Sequence, residues 1–285
     1  PVRSTLICSG IGIDIADRGI FIDGERGMHI SMESVNMTNV QNGIDCSLGR
    51  GHSFVSMVFN NITCNRYATD PLNTDPNVLR HTISATGISL KYKGMPSGIL
   101  EILNLNHINM DIAKAFKPYK PDVEPVGIRI SSAVPPNPDY FYSKVQSNFI
   151  NLNYGVEGIR VGGMTKMLIA DNQISFPNYA TSYLQTFPPS IPFFGIHLTG
   201  GSRHELLCNK ISSSYVNAET GIFTENSPHI RIDGNETDKV SGIAVHYDHG
   251  TDCFIGENLF GFNYMPYAWS FGIAYSDAIT GPQIL

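Results

Sequence analysis

The sequence predicts an all-β chain that winds into a parallel β-solenoid of about nine or ten coils. Three observations predict this fold. A Gly-Ile pair recurs along the chain, an Asn-x-(Ile/Thr/Phe) signature follows it, and the segments between them alternate apolar and polar residues. A single repeat unit, with only a few short strand segments, cannot bury its apolar side alone. Copies of the unit must therefore stack on one another to form a continuous core.

The first element of the repeat is the Gly-Ile pair. Its glycine can adopt the unusual backbone angles of a tight corner, and its isoleucine begins a row of inward-facing side chains. Gly12-Ile13 is a candidate for an additional copy. The nine glycines of the main series are Gly19, Gly43, Gly87, Gly127, Gly158, Gly195, Gly221, Gly242 and Gly272.

The second element is an asparagine that occurs once per unit. Stacked at one position of each coil, these side chains are expected to form a buried, hydrogen-bonded ladder, in which every amide finds partners. Because Asn36 and Asn235 lie in the series, we expect only Asn61 to be a glycosylation acceptor among the Asn-x-Thr sequons. The series comprises Asn36, Asn60, Asn106, Asn148, Asn172, Asn209, Asn235 and Asn258.

The third element is a connection of variable length. The distance from each glycine to its asparagine is 14 to 21 residues, whereas the distance from each asparagine to the next glycine ranges from 7 to 27. The insertions are therefore expected along one side of the solenoid, where such loops often build a binding surface. They cover residues 65–86, 110–126, 175–194 and, more briefly, 261–271.

Together, the Gly-Ile and Asn-x-Ile signatures resemble the right-handed parallel β-helix of the pectate-lyase-like superfamily. They are most similar to NosD-like and other carbohydrate-binding or sugar-hydrolase repeats, over residues 12–275. The resemblance implies a secreted or cell-surface protein, or a periplasmic one, that binds a polysaccharide. If the chain is an enzyme, it implies a polysaccharide lyase or a glycoside hydrolase. A non-catalytic β-helix segment of a surface adhesin or phage tail fibre is the alternative.

Charge and composition argue against two classes of protein, those that bind nucleic acids and those that span a membrane. The net charge of -6 offers no basic surface typical of nucleic-acid binding, and no apolar stretch is long enough to span a membrane. The five cysteines have irregular spacing and no C-x-x-C, which favours buried free thiols.

We expect residues 1–285 to form a single domain. Because no polar cap is visible at either end, we expect a longer chain or partners docked at the ends.

Outward positions of the Gly-Ile segments supply the candidate site. Successive coils place Arg129, Arg160 and His197 in one basic strip, and Lys91 lies one coil earlier. Arginine can bind the carboxylate of an acidic sugar in bidentate fashion, and a histidine or a desolvated arginine or lysine can act as the base of a β-elimination. We therefore predict Arg160, His197 and Arg129 as catalytic residues and Lys91 as a substrate-binding residue.

An ordinary structural role for the basic strip stays open. Outward charges on a solenoid can simply pair with carboxylates of the neighbouring loops. Such carboxylates include Asp122, Glu124 and Glu157.

Further substrate-binding candidates share this side of the solenoid or its loops. They are Asp45, Glu225 and His246 on the segments, and Tyr179 and Tyr183 in the 175–194 insertion. Asp45 and Glu225 are predicted to lie five coils apart, which is too far for the paired carboxylates of a glycosidase.

The stretch HYDHGTD is the densest group of metal-ligating residue types. His246, Asp248 and His249 would need a third ligand from a neighbouring coil, such as His229 or Glu225, and a simple polar corner is the alternative. We predict no cofactor and leave calcium open.

Overall fold

The structure of the chain is a computed structural model. It describes residues 4–64, 85–94, 96–110, 126–134, 141–152, 157–176, 194–213, 220–240, 243–249, 251–262, 271–276 and 283–284. The regular structure of these residues consists of β-strands, with no α-helix among them. The described part of the chain accordingly contains no helix that is long and apolar enough to cross a membrane.

In chain order the strands are β1 Thr5–Ser9, β2 Gly12–Arg26, β3 His29–Glu33, β4 Asn36–Val58, β5 Asn61–Cys64, β6 Thr86–Tyr92, β7 Pro96–Asn104, β8 His107–Met110, β9 Val126–Ser132, β10 Phe141–Gln146, β11 Phe149–Leu152, β12 Glu157–Thr165, β13 Met167–Ala170, β14 Gln173–Phe176, β15 Phe194–Ser202, β16 Glu205–Leu207, β17 Lys210–Ser213, β18 Thr220–Glu225, β19 Arg231–Asp233, β20 Glu236–Val240, β21 Ile243–Asp248, β22 Phe254–Ile255, β23 Leu259–Phe262, β24 Phe271–Ser276 and β25 Gln283–Ile284.

The strands pair in parallel and form three stacks, which the chain visits in turn. Stack 1 contains β1, β3, the end of β4, β7, β10, β13, β16, β19, β22 and β25. Stack 2 contains the starts of β2 and β4, then β5, β8, β11, β14, β17, β20 and β23. Stack 3 contains the later part of β2, the middle of β4, β6, β9, β12, β15, β18, β21 and β24. The predicted parallel β-solenoid is therefore confirmed.

The core lies between the three stacks and is built from the inward half of each alternating segment. The isoleucine of the Gly-Ile pair forms one continuous column in stack 3, and most of its members are fully buried. Each buried aliphatic side chain contributes about 1.5–3 kcal/mol to stability, so the column is a main source of cohesion between coils. Its members in successive coils are Ile20, Ile44, Ile88, Ile128, Ile159, Ile196, Ile222, Val245 and Ile273.

The predicted asparagine ladder joins stack 1 to stack 2 and has seven members in the described residues: Asn60, Asn106, Asn148, Asn172, Asn209, Asn235 and Asn258. The Nδ2 of each side chain donates to Oδ1 of the next at 2.9–3.0 Å. Nδ2 also donates its second hydrogen to a main-chain carbonyl of the preceding coil. For Asn148 the acceptor is the carbonyl oxygen of Leu103, at 3.0 Å. The amides are thus satisfied in the core, as expected.

The expectation that Asn36 belongs to this ladder is wrong. Val35 takes the ladder position in that coil, and its N–H donates to Oδ1 of Asn60 at 3.0 Å. Asn36 pairs instead with Asn61, and both side chains are exposed. Two sequons, rather than one, are therefore accessible, while Asn235 is buried as predicted.

In most of these turns the left-handed residue is the one before the asparagine, not the asparagine itself. Phe59, Leu105 and Cys208 have φ values of 57°, 54° and 54°. Such angles cost a non-glycine residue about 1–2 kcal/mol, so the ladder bonds and the stacked turns must hold them in place.

The glycine of the Gly-Ile pair is required for space rather than for unusual backbone angles. A Cβ on Gly195 would lie 2.6 Å from the carbonyl oxygen of Gly221 and 2.7 Å from Cγ2 of Ile211. The same conflict with the next coil recurs at the equivalent glycines of the other coils. The predicted extra copy, Gly12-Ile13, lies in stack 2, where Gly12 pairs with Asn36.

The order of strands confirms where the variable connections occur. Residues 65–84, 111–125, 177–193 and 263–270 join a strand of stack 2 to the following strand of stack 3, and they lie outside the described residues. The predicted insertions were slightly too long, since their ends belong to strands. The cysteines are free: three are buried as expected, but Cys8 is half-buried and Cys208 is exposed.

Candidate functional site

The outward side of stack 3 carries the predicted basic strip. Arg129 pairs in register with Arg160, and Arg160 pairs with His197, so these three residues lie on adjacent coils about 4.8 Å apart. Lys91 pairs with Ser131, two residues beyond Arg129, which places it diagonally beside Arg129 on the preceding coil. The alternation of β-strands fixed this arrangement, and the residues stand as predicted.

The predicted register of the Gly242-Ile243 segment is wrong by two residues. Ile222 pairs with Val245, so Ala244-Val245 takes the place that Gly242-Ile243 was expected to occupy. His246 therefore belongs to the same column as His197, next to Phe223. Ala244 can replace the glycine at this position, where its side chain is fully buried.

Glu157 connects two of the predicted catalytic residues. Its Oε1 lies 2.8 Å from Nδ1 of His197, and NH1 of Arg160 donates to its Oε2 at 3.4 Å. Nε2 of His197 lies 3.0 Å from the Thr199 hydroxyl. With the carboxylate as acceptor, Nδ1 carries the proton, and both ring nitrogens then have partners. The alternative role predicted for the strip, pairing of its charges with nearby carboxylates, is thus confirmed for Glu157. Asp122 and Glu124 lie outside the described residues.

Aromatic rings cover this part of the strip. The ring of His197 lies 4.6 Å from that of Phe194 and 5.0 Å from that of Phe223, centroid to centroid. Phe223 in turn lies 4.8 Å from His246. His197 is only 7 % exposed. Partial burial lowers the pKa of His246, against the opposing effect of Asp248. This surface is therefore packed and largely satisfied by its own contacts.

The first coils of stack 3 are different, because they carry an open groove of about 440 Å³. Its floor contains hydroxyl groups, including Ser47, Ser89 and Ser131. Four cationic and two acidic side chains also line it: Arg18, Lys91, Lys93, Arg129, Asp23 and Asp45. The exposed ring of Phe21 lies at one end, with the Arg18 guanidinium 4.5 Å from its centroid.

The groove contains three predicted residues, Asp45, Lys91 and Arg129, and the structure adds Arg18 and Lys93. The signal for the first coil was present in the sequence, since Phe21 and Asp23 follow Gly19-Ile20 at the same offsets as in the other coils. The contribution of Arg18 could not be derived from alternation alone, because it precedes the Gly-Ile pair.

The remaining candidates do not join the groove. Glu225 pairs with Thr199 on one side and Asp248 on the other, and it lies five coils from Asp45, as predicted. Nδ1 of His249 contacts Asp248 at 2.6 Å, and Nδ1 of His229 contacts Asp252 at 3.3 Å. Among the described residues, no group of three or more His, Cys, Asp or Glu side chains is placed to hold a metal ion.

Tyr179 and Tyr183, predicted to bind substrate, lie outside the described residues.

Comparison with known proteins adds no relative: no family model, no curated protein and no solved structure matches this chain.

Proposed function

We propose that the chain is a secreted or cell-surface β-solenoid that binds an acidic polysaccharide in the groove of stack 3. The observation that carries this proposal is the concentration of cationic side chains in the groove of an otherwise acidic protein. Arg18, Lys91, Lys93 and Arg129 outnumber two carboxylates there, although the whole chain has a net charge of -6.

The chemistry of the lining suits carboxylated or sulfated sugars. Arginine and lysine bind such anionic groups through charge-assisted hydrogen bonds, and the serine hydroxyls beneath them can both donate and accept bonds to sugar hydroxyls. An exposed aromatic ring such as Phe21 offers the apolar contact that a sugar ring also requires. The likeness of the repeats to pectate-lyase-like proteins supports the same class of ligand.

Cleavage by β-elimination is the second candidate function, and the position of Arg129 favours it. This arginine both lines the groove and pairs with Arg160, so it is the predicted catalytic residue closest to a bound acidic sugar. His197 is less suited to be the base, because it is buried and both its ring nitrogens have partners.

The test is titration calorimetry with polygalacturonate, alginate and chondroitin sulfate, with dextran as the neutral comparison. We expect at least one acidic polymer to bind, and the Lys91→Ala/Arg129→Ala double variant to weaken binding by at least about tenfold, since each charge-assisted bond contributes about 1.5–3 kcal/mol. Binding should also weaken as salt is added. Lys144→Ala is the matched control, because Lys144 lies on stack 1 next to Tyr142.

Equal binding by the double variant and the control, or no binding to any acidic polymer, would contradict the proposal. For cleavage, formation of unsaturated products and reducing ends is followed in the same samples. Activity that Arg129→Ala and Arg160→Ala abolish supports a lyase. Binding without turnover assigns the chain to the adhesive, non-catalytic alternative.

A further inference from the structure

A second cavity, of about 360 Å³, lies on the outer side of stack 2. It extends over five successive coils, from β5 to β17, which corresponds to about 19 Å along the solenoid axis. No sequence motif pointed to it, because its residues occupy outward positions of the segments after the asparagine ladder. It differs from the stack 3 groove in charge, because its described lining consists mainly of uncharged side chains.

One wall of the cavity is a continuous row of uncharged hydrogen-bonding side chains. Thr63, Asn109, Asn151, Ser175 and Ser212 pair in register from one coil to the next. Amides and hydroxyls both donate and accept hydrogen bonds, so the row can match ligand hydroxyl groups in either role. The spacing of the coils is also close to the length of one sugar residue in an extended chain.

The second wall carries an aromatic surface. The Phe149 ring is stacked on the His107 ring, with centroids 4.7 Å apart and planes at 19°. Phe149 is 37 % exposed, so its apolar ring remains accessible beside the row of polar groups. An exposed ring next to converging amides and hydroxyls is typical of sites that bind sugars, whose rings have apolar C–H surfaces and polar edges.

The cavity has little net charge available for an anionic ligand. Its lysine, Lys210, donates to both carboxylate oxygens of Glu236, at 2.9 and 3.0 Å. Among the lining residues that the structure describes, none is an aspartate or a glutamate. An uncharged ligand therefore fits the cavity better than an acidic one.

One polar atom of the row has unused bonding capacity. Oδ1 of Asn109 is buried and makes no hydrogen bond to any residue that the structure describes. A buried acceptor without a partner costs about 1–3 kcal/mol, and reorientation of this amide toward a bound hydroxyl would recover that cost.

From these observations we infer that stack 2 binds a neutral, hydroxyl-rich oligosaccharide along the row from Thr63 to Ser212. This site is separate from the stack 3 groove in position and in ligand class, and it does not depend on the function proposed for that groove. A chain with both sites would bind two kinds of glycan, or two chemically different parts of one glycan.

The experiment uses the full chain, produced without glycosylation so that Asn61 is bare, and titration calorimetry with cellohexaose, mannohexaose, xylohexaose and maltohexaose. We expect at least one to bind. Phe149→Ala and Asn151→Ala should each weaken that binding by about tenfold, which corresponds to about 1.4 kcal/mol. Phe149→Tyr, which retains the ring, should bind as well as the original protein.

Two control variants distinguish binding in this cavity from binding to an exposed ring elsewhere or to the stack 3 groove. Tyr142→Ala removes a similarly exposed ring on stack 1 and should leave binding unchanged. The Lys91→Ala/Arg129→Ala double variant should also keep the neutral oligosaccharide while losing acidic polymers. The inference is overturned if none of the four sugars binds, if Phe149→Ala binds normally, or if the double variant alone loses the neutral sugar.

Discussion

The two ends of stack 3 share one backbone pattern but differ in what their outward side chains do. In the first four coils, cationic and hydroxyl groups surround an open groove. In the coils from β12 to β21, Glu157, His197, Phe223 and His246 contact one another and leave little capacity for a ligand. Strands of one stack can therefore carry either an open groove or a packed surface, and the outward side chains decide which.

This difference assigns separate roles to residues that the sequence placed in a single strip. Arg129 lies at the boundary, since it lines the groove and also pairs with Arg160. We therefore expect substitutions before β12 to change ligand binding with little effect on stability. Substitutions from β12 onward should lower stability with little effect on binding.

The strongest test compares the two carboxylates Glu157 and Asp45. Glu157→Ala should lower the free energy of unfolding by about 2–4 kcal/mol, because it removes the acceptor of the buried His197 N–H and of Arg160. Asp45→Ala, in the half-open groove, should change it by no more than about 0.5 kcal/mol. Urea denaturation measures both, and equal losses would remove the distinction between the two ends.

The second test extends the comparison to the interior, with one buried titratable residue chosen near each end. Glu101 lies in the coil of β6 and β7, where Tyr92 and Ser143 donate to its carboxyl group. Burial raises its pKa from 4.5 to about 7, although these two hydrogen bonds oppose the shift. His204 follows β15, and burial lowers its pKa from 6.5 to about 4.

Glu101 and His204 should change the free energy of unfolding in opposite directions as the pH rises. Folded Glu101 holds its proton more tightly than the unfolded chain, so its contribution falls as the pH rises from about 4.5 to about 7. Folded His204 holds its proton less tightly, so its contribution falls as the pH drops from about 6.5 to about 4. Each change is on the order of 3 kcal/mol, and the two partly cancel in the original protein.

Single substitutions should expose each slope. Between pH 4.5 and 6.5, thermal or urea unfolding of Glu101→Gln should show stability that increases with pH, and that of His204→Asn should show stability that decreases. Profiles that remain parallel to the original would show that the pKa of neither residue differs between the folded and the unfolded protein.

The smallest effect is expected for the two phenylalanines Phe223 and Phe21. Phe223→Ala removes ring contacts with Phe194, His197 and His246 and should cost about 1–2 kcal/mol of stability. Phe21→Ala, at a ring that is 50 % exposed, should leave the melting temperature nearly unchanged but weaken binding of an acidic polymer. If Phe223→Ala weakened binding and Phe21→Ala did not, the binding surface would lie between β12 and β21 and not in the groove.

The sequence by itself determined the coil and the side of each strand. Period-two alternation decides which residues face inward, and one Gly-Ile pair per coil aligns successive strands, so the strip of Arg129, Arg160 and His197 followed from counting. The ladder was also predictable, because a buried asparagine repeated at one position needs its own copies as partners.

Only the tertiary structure decided the register where the signature weakens, and the contacts that separate the two ends of stack 3. Val35 replaces an asparagine and Ala244 replaces a glycine, because core packing and main-chain pairing with the neighbouring coils fix the position of a strand. Glu157 meets His197 across 40 residues of chain. Contacts between coils depend on the length of every intervening connection, and no local pattern contains that information.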